Sequence, residues 1–499
     1  MKRFLIIFFT ALSLLTVASC GEVTEKFPES VSIVFEAEED GFGRVEGETS
    51  QTLINGELSK RVTAVPEIGY KFAGWSDGVT ENPRSGEHFY KDETITAHFE
   101  REYLELPVFS FTMASGNEVT SKTEYTEVTL DISNTDEKYC LRNASALIRG
   151  RGNSTWYHEK KSYKLKLDEK ENLLGQGRGK AKQWVLLANH CDQSMLRTYM
   201  AFYLGGKLDA LEYTSSASFV EVMINGEYKG VYLLCEQTQV NKNRVDIETS
   251  PTELDTGYLI ELDRYATDDE DSVKDVNYFN ARGKVYAVKN DVTPEQCNFI
   301  KKYIERTHTA IMRGERETVE SYIDIDSFVD MYLVQEYMMN VDVGWSSFYM
   351  YKKPGGKLFF GPLWDFDLAA GNDYRLWNGT YEGIYVGESG ELGQENRWYT
   401  AIMNRSWFRE LVRERWEQKR DVFEGAAEQA RKMGEAMKNA AERNYMRWDS
   451  MGKRMNEEPE QIMALKTYDE HVEYLCSWLS DRFDWLDNFG WNENYFEKN

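Results

Sequence analysis

Three aspartates in the second half of the chain are placed where they could hold a divalent cation. Asp342 follows a segment with helical spacing of apolar residues, and Asp365 and Asp367 follow two short apolar runs joined by a turn at residues 354–357. This predicted hairpin folds the chain back, so Asp342 and Asp365 can face one opening although 23 residues separate them. Grouped carboxylates repel one another unless a cation compensates them. Because Mg²⁺ binds one or two carboxylates together with substrate phosphates, the pattern predicts such a site.

Solvated turns are the alternative explanation for these aspartates, since Asp is a common turn residue. Asp365 and Asp367 alternate with Trp364, Phe366 and Leu368. A solvated turn would be polar, so the apolar neighbours favour a functional role.

A second cluster, in residues 149–166, combines glycines with cations. Glycines on either side of Arg151 would allow close approach of the backbone to a phosphate. In the strand predicted next, Lys164 and Lys166 share one face. Alternating lysines usually mark a solvated sheet face, and this pattern alone favours that interpretation. In a chain with a formal net charge of −25, however, the cluster is a concentrated positive patch that could bind nucleotide phosphates.

The elements that would position these residues predict an α+β chain. Residues 30–101 alternate apolar and polar in short runs, which predicts a small β-rich domain. Strand patterns dominate residues 104–265 and helical patterns dominate residues 290–499, which predicts a strand-rich lobe followed by a helical lobe. Asp326 is the expected N-cap of the helix that precedes Asp342.

Asp192 and Arg197 stand at the start of a helix predicted over residues 194–204. They could form a helix cap and an ion pair. The pattern supports a structural and a functional role equally.

The N-terminus has the pattern of an export signal. Residues 1–19 combine two cations, an apolar run and small residues, and we expect them to be removed. The pattern resembles a bacterial lipoprotein signal, which implies lipidation of Cys20 and a membrane anchor joined through the tether 20–29. The five remaining cysteines lack metal-binding spacing, so we expect mostly buried thiols, with one long-range disulfide left open.

Length and composition exclude some classes of protein. The 499 residues allow about three domains. Hydrophobic residues make up 41% and aromatic residues 14% of the chain, so a globular protein is expected rather than a disordered one. The net charge of −25 repels phosphate backbones, which excludes nucleic acid as an expected partner.

Several segments, in order over about residues 105–420, resemble the CotH family of atypical protein kinases, which is named for a spore coat protein. They are residues 151–154, 161–164, 184–189, 192–197, 225–236, 261–263 and 361–367. The resemblance implies a divergent two-lobed protein-kinase-like fold. It also implies ATP with Mg²⁺ or Mn²⁺ as cofactors and exported proteins as substrates.

The resemblance also implies roles for individual residues. Asp342 matches the catalytic aspartate that orients the substrate hydroxyl, and Asp365 matches the metal-binding aspartate. Asp367 and Ser347 are the further candidate metal ligands. Many family members carry Asn where this chain has Ser347, and a hydroxyl is a weaker metal ligand than an amide carbonyl. This departure predicts reduced activity, or nucleotide binding without turnover.

Candidate nucleotide-binding residues come from the basic cluster. Lys164 matches the lysine that pairs with phosphates, and Lys166 is the alternative. Arg151, Asn153 and Ser154, in the glycine-containing turn, complete the set.

The β-rich domain also has a family resemblance. Residues 69–78 resemble the centre of bacterial surface repeats related to the internalin B-repeat, which implies a β-grasp-like spacer. Trp75 within this segment could stack on a sugar, but a single Trp in so small a domain is expected in the core.

These features together predict a lipid-anchored kinase of the bacterial cell envelope that transfers the γ-phosphate of ATP to hydroxyl side chains of exported proteins. The alternative is a weak or inactive surface scaffold that binds a polysaccharide or a protein partner. A third hypothesis is a glycoside hydrolase with Asp342 and Asp365 as paired acids.

Overall fold

The computed structural model describes residues 27–38, 42–66, 70–101, 105–113, 116, 118–267, 277–376, 379–387 and 395–491. The predicted signal segment and Cys20 lie outside the described residues. The chain divides into two compact units, Met1–Glu102 and Tyr103–Asn499. In the described ranges, no helix combines the length and apolarity needed to cross a membrane.

The first unit is built from β-strands. They are β1 (Ser30–Ala37), β2 (Gly43–Gly47), β3 (Ser50–Ile54), β4 (Val62–Pro66), β5 (Tyr70–Trp75) and β6 (Glu93–Arg101). One sheet has the order β3-β1-β6-β5, in which β1 and β6 are parallel, and β2 pairs with β4. Trp75 is buried and lies edge-on to Phe35, with 5.7 Å between ring centroids. The expectation that Trp75 is a core residue is therefore confirmed.

The second unit begins with a closed seven-stranded barrel. Its strands are β7 (Val108–Thr112), β8 (Thr126–Ser133), β9 (Leu141–Arg151), β10 (Ser162–Glu171), β11 (Ala181–Leu187), β12 (Ala217–Ile224) and β13 (Glu227–Glu236). The order is β10-β11-β13-β12-β7-β8-β9, and only β7 and β12 pair in parallel within this barrel. Alternation along β10 buries Tyr163, Leu165 and Leu167 in the barrel core, whereas Lys164 and Lys166 lie on the outer face, as predicted.

A second, antiparallel sheet follows the barrel. Its strands are β14 (Tyr258–Leu262), β15 (Asn277–Ala281), β16 (Lys284–Val288), β17 (Phe348–Lys352) and β18 (Leu358–Phe360), in the order β15-β16-β14-β17-β18. The β17–β18 hairpin lies where the sequence predicts it. β14 belongs to this later sheet and not to the barrel that precedes it.

Nine α-helices occur in the described part of the second unit. They are α1 (Arg197–Gly205), α2 (Pro294–Arg313), α3 (Arg316–Tyr322), α4 (Ile325–Tyr337), α5 (Arg397–Ile402), α6 (Ser406–Glu424), α7 (Ala426–Arg447), α8 (Glu460–Ala464) and α9 (Tyr468–Trp485). The prediction of an α+β chain with a β-rich N-terminal region is confirmed.

The start of α4 differs from the prediction. Asp324, not Asp326, is the N-cap, because its side chain accepts a hydrogen bond from the backbone N of Ser327 at 2.9 Å. Asp326 lies in the first turn and pairs with Arg415 at 2.7 Å. The expected N-cap was therefore wrong by two positions.

The barrel is attached to the helical region through α7. The side chain of Asn444 accepts a hydrogen bond from the backbone N of Val231 in β13 at 3.1 Å. Arg443 pairs with Glu221 of β12 at 3.0 Å, and both side chains are buried. These contacts fix the barrel, and hence Lys164, relative to the helices.

No disulfide occurs among the five cysteines that the structure describes. Cys191, Cys235 and Cys476 are buried free thiols, and Cys140 and Cys297 are half-buried ones. The expectation of mostly buried thiols is confirmed.

Candidate functional site

Asp342 lies in the turn that connects α4 to β17. Its backbone N donates a hydrogen bond to the side-chain oxygen of Asn340 at 3.1 Å. Its carbonyl oxygen accepts hydrogen bonds from the backbone N of Trp345 at 2.8 Å and of Ser346 at 3.1 Å. The backbone is therefore fixed, while 21% of the Asp342 side chain stays exposed to solvent.

Ser347 connects this turn to the second acidic segment. Its hydroxyl donates a hydrogen bond to Asp365 Oδ2 at 3.2 Å. Ser347 stands immediately before β17, and Asp365 follows β18, the hairpin partner of β17. The hairpin thus joins the two segments that the sequence pattern places at one opening.

Asp365 is an exposed residue between two buried aromatic residues. Trp364 and Phe366 are 4% and 0% exposed. The backbone N of Phe366 donates to the hydroxyl of Thr198 at 3.3 Å, and the guanidinium of Arg151 lies 5.3 Å from the centroid of the Trp364 ring. The aromatic anchors hold the segment in the fold and leave the Asp365 carboxylate accessible, unlike in a solvated polar turn.

Electrostatic effects show that Asp342 lies near other carboxylates. Burial raises the pKa of Asp342 to about 6. Asp365 and Asp373 raise this pKa further, and Arg375 lowers it. A carboxyl group with this pKa is mostly ionised at neutral pH and can accept a proton.

Asp365 and Asp367 also have raised pKa values. For both, desolvation by the surrounding protein atoms is the largest cause, and Arg151 partly offsets it for Asp365. The pKa of Asp367 is raised well above its usual value by burial and then by Asp365, Asp192 and Asp342. The structure therefore brings Asp342, Asp365 and Asp367 into one acidic cluster.

A guanidinium that the sequence analysis missed faces this cluster. Arg375 Nη1 lies 3.3 Å from Asp342 Oδ1. The same guanidinium makes two hydrogen bonds to the fully buried carboxylate of Asp373, at 2.8 and 2.7 Å. Asp373 thereby orients Arg375 toward Asp342. Asp373 and Arg375 lie 31 and 33 positions after Asp342, in an irregular segment. Such a segment has no periodic sequence pattern from which their positions could be predicted.

Lys164 supplies positive charge from the outer face of β10. It lies opposite Arg149 in β9 and Val185 in β11. Burial lowers the pKa of Lys164 to about 8, and nearby Arg149, Arg151 and Lys289 lower it further. Because Arg151 also acts on Asp365, the basic strand and the acidic cluster meet at Arg151.

A second pair of charges lies on the sheet beside Arg151. Lys289 pairs with Glu261 of β14 at 2.7 Å. Glu261 raises the pKa of Asp365, and Arg151 acts on the pKa of Lys289. Glu261 is part of the segment 261–263 used for the family resemblance, whereas nothing in the sequence distinguishes Lys289.

The other candidate nucleotide-binding residues are placed differently. Lys166 is exposed and lies opposite Gln183 and Leu147, further along β10. Asn153 is exposed in the turn after β9, and Ser154 begins a 3₁₀ turn, Ser154–Tyr157. Among the described atoms, the hydrogen bond found for Asn153 joins its carbonyl to the backbone N of Trp156 at 3.3 Å, not to the acidic cluster.

Asp192 and Arg197 form a buried structural pair. Arg197 Nη1 lies 2.6 Å from Asp192 Oδ1, and both side chains are buried. Arg197 also donates to the carbonyl oxygens of Ala369 at 3.0 Å and Ala370 at 3.2 Å. The pair therefore holds the chain that follows Asp367 against α1, so its role is to position the acidic segment.

The acidic cluster fits a magnesium ion that also binds phosphates. Asp365 and Asp367 carry carboxylate oxygens, the kind of ligand that Mg²⁺ prefers. The negative charge of Asp365 contributes to the raised pKa of Asp367, and a cation would compensate that repulsion. Within the described residues, no group of three or more His, Cys, Asp or Glu side chains has metal-binding geometry. The described residues therefore do not supply a full set of protein ligands for a metal ion. Mg²⁺ needs only one or two carboxylates when phosphates complete its coordination sphere.

Two family models match the chain. A model described as CotH kinase protein matches residues 148–486, and one described as divergent InlB B-repeat domain matches residues 33–103. No curated protein matches the chain. The first match covers the end of β9 from residue 148 to Arg151, the basic strand β10 and the whole acidic cluster.

Proposed function

This chain belongs to the CotH kinase protein family, and from this premise we propose that it transfers the γ-phosphate of ATP to hydroxyl groups of exported proteins. The observation that carries the proposal is the position of Arg151, which lies over Trp364 next to Asp365 and acts on the pKa values of both Lys164 and Asp365, while Asp365 acts on that of Asp342. Phosphoryl transfer depends on positioning and charge stabilisation, and the protein forms no covalent bond to the substrate. This arrangement supplies positive charge for the phosphates and negative charge for a metal ion.

We propose that the second unit has the two lobes of a divergent protein kinase. The barrel with β10 would be the nucleotide-side lobe, and the second sheet with the helices would be the catalytic lobe. The buried contacts of α7 with β12 and β13 support a fixed relation between them. The acidic cluster lies in the second of these parts and Lys164 in the first.

Asp342 would act on the acceptor hydroxyl. As the hydroxyl oxygen bonds to the γ-phosphorus and the bond from that phosphorus to the bridging oxygen breaks, the hydroxyl loses its proton. Asp342 can orient this hydroxyl and accept the proton, because its pKa of about 6 leaves it ionised at neutral pH. Arg375, held by Asp373, would keep the carboxylate in place.

Asp365 and Asp367 would hold Mg²⁺ or Mn²⁺, and Ser347 would support Asp365 through its hydrogen bond. The metal would neutralise the charge of the β- and γ-phosphates. Lys164, with Lys166 as the alternative, and Arg151 would bind phosphates. Asn153 and Ser154 would contribute from the neighbouring turn.

The cell envelope is the place where the protein would act. The divergent InlB B-repeat match supports this location, because such repeats occur in bacterial surface proteins. We further propose that Cys20 carries the lipid anchor.

The kinase proposal is tested with purified residues 21–499, radiolabelled ATP, Mg²⁺ or Mn²⁺ and a generic acceptor such as casein. We expect phosphate transfer by the wild type and none above background by Asp365→Ala. The matched control is Asp481→Ala, since Asp481 is exposed on α9 and lies outside the acidic cluster. Absence of any metal-dependent stabilisation of the wild type by ATP would refute the proposal.

A non-catalytic scaffold is the second candidate function, and Ser347 is the observation that favours it. A serine replaces the family's asparagine at a proposed metal-binding position. In that case ATP would raise the melting temperature without phosphate transfer, and binding of a polysaccharide or protein would survive Asp365→Ala.

A further inference from the structure

A basic groove lies beside α2, away from the acidic cluster. It has a volume of about 300 Å³ and is lined by Lys302, Arg306 and Arg313 of α2, by Arg282 of the β15–β16 turn, and by Glu305. The four cations are all exposed. The groove therefore carries a net charge of about +3 on a chain whose net charge is −25.

The cations of the groove lack acidic partners within the described part of the chain. No ion pair of Arg282, Lys302, Arg306 or Arg313 occurs there, although many other surface cations, such as Lys353 and Lys419, pair with a carboxylate. Unpaired like charges repel one another at this spacing. An anionic ligand would relieve that repulsion.

The arrangement of these cations follows from two regular elements. Lys302 and Arg306 are four residues apart, and Arg313 follows seven residues later, so all three share one face of α2. Arg282 and Gly283 both have positive φ, 54° and 84°, which is the geometry of a tight hairpin turn. The hairpin places Arg282 opposite the basic face of α2.

Arg282 separates the groove from a recess whose lining side chains contact the turn that carries Asp342. Arg282 also lines a smaller neighbouring recess, together with Lys284 and Asn396. Lys284 Nζ donates to the carbonyl oxygen of Gly344 at 2.8 Å, and Asn396 Nδ2 donates to that of Val343 at 3.1 Å. These carbonyls follow Asp342 by one and two residues, so a chain lying in the groove would approach Asp342 by way of Arg282.

We propose that this groove binds an acidic segment of the polypeptide that supplies the acceptor hydroxyl, an inference that rests on the proposed kinase function. Guanidinium groups match carboxylates in a bidentate geometry, and three of the four cations are arginines. Tyr322 lines the same groove and carries a hydroxyl that could contact a peptide backbone. A long nucleic acid is disfavoured, because the rest of the chain repels an extended polyanion.

The test is peptide binding without nucleotide, measured by fluorescence anisotropy on the full mature chain. The probe is a fluorescent twelve-residue peptide rich in Asp and Glu, with a matched Ser/Gly peptide for comparison. We expect the acidic peptide to bind more tightly, and the double variant Lys302→Glu/Arg306→Glu to weaken its affinity at least about tenfold. Both replaced side chains are exposed, so the fold should be kept.

The control is the double variant Lys242→Glu/Lys432→Glu, which reverses the charge of two exposed lysines that do not line the groove. It changes the net charge by the same −4. Equal loss of affinity in both double variants, no binding by the wild type, or equal binding of a single-stranded oligonucleotide of matched charge would each overturn the groove proposal. Asp365→Asn should bind the acidic peptide like the wild type. If Asp365→Asn loses phosphate transfer but still binds the peptide, the result bears on the kinase site and leaves the groove proposal unchanged.

Discussion

Ser347 has a backbone conformation that serine seldom adopts. Its φ is 59°, in the left-handed region where asparagine is several-fold enriched. The residue that the family resemblance leads us to expect at this position is therefore also the one that the backbone favours. The local fold is compatible with a metal-binding amide although this chain carries a hydroxyl.

Replacing Ser347 with Asn is expected to strengthen metal-dependent nucleotide binding. The amide suits the left-handed backbone and supplies a better oxygen ligand beside Asp365. We expect a larger ATP-induced shift in melting temperature with Mg²⁺ than in the wild type, and faster phosphate transfer. Ser347→Ala is the control, since it removes the hydroxyl and adds no ligand. A smaller shift for the asparagine variant than for the alanine variant would contradict the metal-binding role of this position.

The activity should depend on pH in a bell-shaped manner. Asp342 must be ionised, so kcat/KM should rise as pH increases through about 6, where burial sets its pKa. Lys164 must be charged, so kcat/KM should fall as pH increases through about 8, where burial sets the pKa of the lysine. Rates measured from pH 5 to 9.5 test both limbs. With Lys164→Arg the upper limb should move to higher pH, and an unmoved limb would show that another group sets it.

Asp342 should also make the folded protein less stable at neutral pH. Burial raises its pKa to about 6 in the folded chain, above the ordinary value of 3.8 expected once the chain unfolds, so the folded state binds more protons between these values. Stability from this group is therefore lost as pH rises through that window. Asp342→Asn should raise the melting temperature at pH 7.5, by the equivalent of at most about 3 kcal/mol, and the gain should vanish near pH 4. The same variant should lose about 10²–10⁴-fold in activity.

At the scale of residues, the sequence predicted the acidic side of the site better than its surroundings. Asp342, Asp365 and Asp367 were recognisable because apolar neighbours or a preceding helix made a solvated turn a poor explanation. Arg375 and Asp373 had no such context. Their pairing depends on how an irregular segment returns to Asp342, which local spacing does not encode.

At the scale of elements, the chain after Asp367 depends on a buried ion pair for its position. Arg197 bridges Asp192 and the carbonyls of Ala369 and Ala370. Arg197→Met should leave the Asp192 carboxylate buried without its charged partner, at a cost of about 3–5 kcal/mol. We expect a clearly lower melting temperature and weaker metal-dependent ATP binding. The double variant Arg197→Met/Asp192→Leu should recover part of the stability but not the ATP binding, which separates a positioning role from a purely stabilising one.

Strand and helix patterns predicted the type of each element well, but they did not predict which strands pair with one another. Alternation along β10 correctly placed Lys164 and Lys166 on the outer face, because the barrel interior accepts only apolar side chains there. The same patterns did not reveal that β7–β13 close into a barrel or that β14 pairs with β16 and β17. Pairing between strands far apart in sequence is decided by packing of the whole unit, which periodicity within one strand does not report.

At the scale of the whole molecule, the two compact units separate the proposed tasks. The unit Met1–Glu102 has its own core around Trp75, Phe35 and Ile95, and every residue of the candidate site lies in Tyr103–Asn499. Catalysis and surface display are therefore expected to be separable by truncation.

Removing the first unit should leave the proposed chemistry intact. Residues 103–499 contain the second unit complete, so we expect the same ATP-induced shift in melting temperature and the same transfer rate to a soluble acceptor as residues 21–499. The isolated residues 27–102 should fold, because their apolar core and the ion pair of buried Arg84 with Asp77 are formed within the first unit. Circular dichroism and a cooperative thermal transition check this. Loss of transfer in the truncated chain, with its melting temperature unchanged, would mean that the first unit takes part in the reaction and is more than a spacer.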